Sequence, residues 1–154
     1  MRARLRSALA AILSLAVAAP AIGAGADELA EYRSLWEAAA VGAYEYGYDK
    51  YCECHPESPP ETLVTVRGNE VVRVRHEVVG ADGFVDAAPE SLRWYWTIEG
   101  LFDLVEAAGA WAAVVRVDYD AELGYPTRVY VDYDPNLIGD ELDVRLTRFT
   151  PLPE

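Results

Sequence analysis

Cys52-Glu53-Cys54-His55 carries the most reactive side chains of this chain, and its two cysteines are the only two present. A thiolate is both a nucleophile and a soft-metal ligand, so spacing decides which chemistry is open. A c-type haem site needs Cys-x-x-Cys-His, and this segment is one residue short. A thioredoxin-type pair also needs two intervening residues and a helix N-terminus that lowers the thiol pKa, and no such helix is read here. Three chemistries stay open: a disulfide between Cys52 and Cys54, a soft metal such as Cu(I) on Cys52, Cys54 and His55, or a redox-active or intermolecular bridge. Positions i and i+2 of a strand lie about 6.6 Å apart on one face, near the upper limit of about 6.8 Å for disulfide Cα atoms. A bridge therefore needs a local bend, which Pro56 and the loop after it supply. In an oxidising compartment the disulfide is the default.

A second cluster is acidic: Asp132, Asp134, Asn136, Asp140 and Asp143. Read as a calcium loop, these take offsets 1, 3, 5, 9 and 12, but Leu137 stands where an EF-hand needs Gly and Asp143 where it needs Glu. The flanks also read as strands rather than helices. The expectation is a polar turn whose Asp side chains bond their own backbone. Nothing points to an enzyme. Ser34, Ser58 and Ser91 sit in no Gly-x-Ser-x-Gly elbow. The histidines are only His55 and His76, phosphate-binding glycine motifs are missing, and no cofactor is implied. His76 falls on an apolar strand face with Val72, Val74 and Val78, as a packed, hydrogen-bonded histidine does.

The elements that must position these residues begin after an export segment. Arg2, Arg4 and Arg6 form a positive n-region, Ala8 to Ala19 an uncharged Ala- and Leu-rich run, and Ala24-Gly25-Ala26 a small-x-small cleavage pattern. The run is too short to span a bilayer, so residues 1–26 read as a signal peptide and residues 27–154 as one domain released outside the cytoplasm, periplasmic or secreted, with no membrane anchor. Cleavage removes three arginines and moves the formal charge from −13 to −16. Such acidity excludes nucleic acid as a partner and favours cationic ones, besides keeping an exported protein soluble. An apolar content of 52% excludes a disordered chain.

Asp27 is placed to cap a helix over 28–41 with Leu29, Tyr32 and Trp36 at helical spacing and Gly42 as its stop. From Tyr44 the period becomes two, and Tyr44, Tyr46 and Tyr48 form the core-facing stripe of a strand. Residues 63–67 and 71–78 are two strands around Gly68-Asn69. A strict two-residue hairpin pairs Val64 with Arg73, whereas one added residue pairs Val64 with Val74 and Val66 with Val72, so a longer turn or a bulge is expected. Residues 79–96 read as a long connection ending in Trp94-Tyr95-Trp96. Thr97 caps a second helix with Ile98, Leu101, Phe102 and Val105 inward and Gly109 as its stop. Strands at about 112–119, 126–133 and 141–149 complete the order α-β-β-β-α-β-β-β. The economical arrangement is α+β: an antiparallel sheet of about six strands with both helices on one face.

Tyr44-x-Tyr46, Cys52-x-Cys54, Thr97-Ile98-x-Gly100-Leu101-Phe102-Asp103-Leu104, Val117-x-Tyr119-Asp120, Gly124-Tyr125-Pro126-Thr127, Asp132-Tyr133 and Asp140-Glu141 follow one another in an order and spacing that resembles the bacterial exported family catalogued as domain of unknown function 6174. That family usually has Pro directly after the second cysteine, where His55 stands here. The resemblance implies export and one domain, and no reaction. The function expected is a non-catalytic binding or interaction module for a protein or peptide that meets the sheet or the 79–96 segment, with Trp94, Tyr95 and Trp96 as anchors or as pins that hold the segment to the core. The alternative is a redox-active or copper-handling protein acting through Cys52 and Cys54.

Overall fold

A computed structural model describes residues 24–51, 61–80 and 82–153. Among them two helices, α1 (Ala24–Ala39) and α2 (Ile98–Ala108), accompany seven strands: β1 (Ala43–Tyr51), β2 (Thr62–Arg67), β3 (Glu70–Glu77), β4 (Phe84–Asp86), β5 (Val114–Tyr119), β6 (Pro126–Asp132) and β7 (Leu142–Pro151). All pairings are antiparallel, in the order β4-β3-β2-β1-β7-β6-β5. Within each half every strand pairs with its neighbour in sequence, and β1 joins β7 where the halves meet. The α+β sheet with two helices is as expected. It has seven strands rather than about six because the 79–96 connection returns along β3 as β4 and then makes a 3-10 turn at Pro89–Trp94.

One sheet face is apolar and supports the helices. Tyr44, Tyr46 and Tyr48 of β1, Val64 and Val66 of β2, Val74 of β3, Val129 and Val131 of β6, and Val144 and Leu146 of β7 are all buried. Against them α2 places Ile98, Leu101, Phe102, Val105 and Ala108, the stripe its spacing predicts. Thr97 caps it by accepting the Gly100 N–H at 3.0 Å. Helix α1 contributes Trp36, edge-on to Tyr44 at 5.4 Å, and Tyr32, stacked on Tyr119 at 4.3 Å.

Several boundaries differ for local reasons. Asp27 lies inside the first described turn of α1 rather than at its cap, because Ala24–Ala26 before it are already helical. That first turn holds Ala24–Ala26; the rest of the expected signal peptide lies outside the described residues. The helix stops before Gly42, since Ala40 turns left-handed (φ 50°). Gly109 ends α2 with a right-handed φ of −56°, its N–H still bonded to Val105 at 2.9 Å.

The β2–β3 hairpin resolves as a tight turn followed by a bulge. Gly68 (φ 55°) and Asn69 (φ 60°) are both left-handed, the geometry that matches strand twist in a two-residue turn. Val66 then pairs with Val71 rather than Val72, Val72 bulges out to solvent, and Val64 pairs with Val74. A second bulge in β7, at left-handed Arg148 (φ 52°), shifts its register against β1. It directs Phe149 to the helix side, where the ring stacks on Tyr125 at 4.4 Å.

Candidate functional site

Cys52, Cys54 and His55 lie outside the described residues; Tyr51 is the last described residue before them. The Trp94-Tyr95-Trp96 trio divides. Trp94 is 62% exposed beneath the Arg93 guanidinium, 4.8 Å from its ring. Tyr95 packs edge-on to Tyr48 at 5.1 Å. The Trp96 carbonyl accepts a hydrogen bond from the Tyr46 hydroxyl, and Lys50 Nζ sits 4.8 Å over the Trp96 ring. His76 is half-buried on the same sheet face as Val74, its Nδ1 3.1 Å from Thr62 Oγ1, and burial lowers its pKa below the ordinary 6.5.

The acidic residues of the β6–β7 loop bond the loop itself. Asp134 accepts from Asn136 N (3.0 Å) and Nδ2 (2.8 Å), Asp140 from Asp134 N (2.7 Å), and Glu141 from Gly139 N (2.9 Å). Buried oxygens of Asp132 and Asp140 have no hydrogen-bond partner among the described residues. Burial, then the charges of Asp140, Glu141 and Asp134, raise the Asp132 pKa above 3.8. Among the described residues, no group of three or more His, Cys, Asp or Glu side chains is placed to hold a metal ion.

Asp143 is turned away from that loop, onto the polar face of the sheet. It accepts from Arg128 Nε (2.9 Å) and Nη2 (2.8 Å), in a two-pronged contact, and from Arg145 Nη2 (2.8 Å). The Arg128 hydrogen bond, opposed by burial and reinforced by Arg145, holds the Asp143 pKa at about 2. Register extends the pattern across the sheet. Asp49, Arg145, Arg128 and Asp118 stand in one row, and Tyr51, Asp143, Tyr130 and Arg116 in the next. On the other side of β1, Glu45 accepts from Thr65 Oγ1 (2.9 Å) and Arg75 Nη2 (2.8 Å), and Arg73 grips Asp86. The uncovered face is thus a lattice of paired charges.

The opposite character appears at one end of the sheet. β1 ends where β7 begins, and β5 begins where β6 ends. Tyr51, the α2–β5 connection and the β6–β7 loop therefore meet at the same end. Tyr51 is 74% exposed, Trp111 83% and Ile138 93%, with Leu137 and Tyr133 also exposed. Tyr51, Trp111, Leu137 and Ile138 were not singled out by periodicity, and Tyr133, expected within the 126–133 strand, falls just past the end of β6. Leu137-Ile138 inside a turn of Pro, Asn and Gly was a readable signal, since apolar residues there have no strand face to bury.

At the other end, by the start of β1, a cleft of about 340 Å³ opens between α1 and α2. Trp36, Val41 and Phe102 wall it, with Arg33, Glu37, Glu99 and Asp103 among its lining. Glu99 is held in place by Trp36 Nε1 (3.1 Å) and the Tyr44 hydroxyl (3.3 Å), and that hydroxyl also accepts the Ile98 N–H at 2.9 Å. Arg33 is committed to Asp103 (3.3 Å) and Glu106 (3.2 Å).

The blocks that carry the family resemblance are building parts of this frame. Gly124 (φ 81°) lies against α1, where a Cβ would stand 2.7 Å from Leu35 Cβ and 3.0 Å from Trp36 N. Asp120 accepts from Glu122 N (3.0 Å) and Leu123 N (2.7 Å), shaping the turn that delivers Gly124 and Tyr125. No match was found among curated proteins or among solved structures. The model of the family of unknown function DUF6174 matches residues 28–151, which spans both helices, the sheet and the turns just described, and the chain belongs to that family.

Proposed function

We propose that this chain is an exported, non-catalytic binding module that meets a protein or peptide partner at the end of the sheet bearing Tyr51, Trp111, Tyr133, Leu137 and Ile138. The observation that carries the reading is the exposure of Trp111 and Ile138, 83% and 93%, beside other apolar side chains on converging loops. Aromatic anchors of this kind dominate interface energies when a partner desolvates them. Asp134, Asp140 and Glu141 lie in the same loop, so the partner surface is apolar at its centre and basic at its rim. Trp94 offers a further exposed ring in the 79–96 segment. Residues 1–26 support export, and an oxidising compartment favours a Cys52–Cys54 disulfide directly after Tyr51.

The test is capture from the extracytoplasmic fraction of the source cells with the mature chain and with the double variant Trp111→Ser, Ile138→Ser. A partner retained by the first and lost by the second, at unchanged thermal melting, is the expected result. Identical capture profiles, or none from either protein, would sink the reading. Thiol counting on the exported protein addresses the alternative: two oxidised, redox-inert cysteines remove the redox and copper chemistry, and two reactive thiols favour it.

A further inference from the structure

We infer that the cleft between α1 and α2 is a binding site for an aliphatic primary ammonium group, a site separate from the apolar end of the sheet. Three features of the cleft select that chemistry. Its volume, about 340 Å³, is that of a small-ligand site. Its apolar lining, Val41 with the buried edges of Trp36 and Phe102, suits a methylene stem, while the Arg33 guanidinium already lies 5.4 Å from the Phe102 ring. Its polar groups are acidic in excess: Glu37, Glu99 and Asp103 against Arg33 alone.

The carboxylates are not equivalent. Asp103 already shares Arg33 with Glu106. Among the described residues Glu99 receives hydrogen bonds from two neutral donors, Trp36 and Tyr44, and no ion pair among those residues joins a basic side chain to it or to Glu37. Two neutral donors orient the Glu99 carboxylate without cancelling its charge, so it is a prearranged anion on a partly apolar wall. An ammonium nitrogen bonds there by a charge-assisted hydrogen bond while its stem lies along the apolar lining beside Val41. An inorganic cation gains nothing from such walls, and an anion is repelled. Free diamines and lysine side chains of a peptide share this chemistry.

The indole N–H of Trp36, bonded to Glu99, reports on the site. In ¹H–¹⁵N spectra of the mature chain at constant ionic strength, cadaverine and Nα-acetyl-lysine methylamide are titrated, and the signal is assigned with Trp36→Phe. A saturable shift is expected with one or both probes; cadaverine alone identifies a free amine, and a response to both admits a lysine side chain. 1-Pentanol, which matches the stem without the charge, should leave the signal unmoved. Glu99→Gln and, independently of the core, Glu37→Gln should each weaken binding by about fivefold or more, as loss of a charge partner does. Glu70→Gln, the same charge change at the β2–β3 turn, should alter it by less than about twofold, since only screened long-range attraction is lost. No saturable shift, an equal response to 1-pentanol, or equal weakening by Glu70→Gln would overturn the proposal.

Discussion

Tyr44 shows how much one side chain carries in this fold. Its ring lies in the core against Trp36, while its hydroxyl accepts the buried Ile98 N–H and donates to Glu99. Burial pushes that hydroxyl well above its usual pKa, so it stays neutral and keeps both roles. Tyr44→Phe keeps the ring and orphans a helix N–H, so a loss of about 1–3 kcal/mol is expected in denaturant melts. Asp143 acts through charge instead. Its pKa of about 2 lies below the ordinary 3.8, so the unfolded chain takes up the proton first and the stabilisation is complete only above that ordinary value. It should be lost as pH falls from about 4 to about 2. Asp143→Asn should cost about 1–2 kcal/mol at pH 7, the solvent-exposed arginines trimming the full linkage value, and the difference from wild type should vanish near pH 2. A difference that persists unchanged in acid would refute the electrostatic account.

At the scale of elements, the two helices reach the sheet by different means. α2 has a cap, a five-residue apolar stripe and a docking bond at Tyr44, all local features of its sequence. α1 carries a thinner stripe and depends on close approach at Gly124, whose missing Cβ leaves room for the backbone of Tyr32 and Trp36. Gly124→Ala adds a methyl where the helix already touches and strains a left-handed φ, so a loss of about 2–4 kcal/mol is expected. The loss should be accompanied by altered near-ultraviolet signals from Trp36 and Tyr125, because the helix must lift. Unchanged stability would mean that α1 is not seated on this turn. The β6–β7 loop makes the opposite case. Asp132→Asn removes a carboxylate raised by burial and three acidic neighbours, so the melting temperature at pH 7 should rise, and the gain should shrink toward acid as the wild-type group takes its proton.

For the molecule as a whole, the imbalance of charge is the governing quantity. For residues 27–154 the formal charge is −16, a figure that already counts every Lys and Arg, so the ion pairs of the sheet leave all of that excess uncompensated. Repulsion among like charges opposes the compact state, and salt screens it over about 10 Å at 0.1 M. The melting temperature of residues 27–154 should therefore rise between low and moderate sodium chloride, even though individual ion pairs weaken. A fall with salt would show that the paired lattice outweighs the net repulsion. The same excess would favour cations at the helix cleft and basic surfaces at the apolar end, the two sites proposed at opposite ends of β1.

Sequence alone determined the kinds of elements, their order and the inward faces, because alternation and helical spacing are local records of which side chains must leave water. Tyr44, Tyr46 and Tyr48, the α2 stripe and the His76 position were legible for that reason. The same local logic foresaw an irregularity at the β2–β3 turn, though not that the turn would be tight and Val72 displaced. Strand β4 was hidden because three residues are too few for a period. The Phe149 switch was hidden because one left-handed residue, Arg148, reverses every later face. Only tertiary structure decided that Trp96 and Tyr95 serve the core while Trp111 and Ile138 stand in solvent, and that Glu99 meets Trp36 and Tyr44 across more than fifty residues of chain. Those outcomes depend on which chain segments become neighbours, and neighbourhood across a sheet is a property of register and packing rather than of any stretch of sequence.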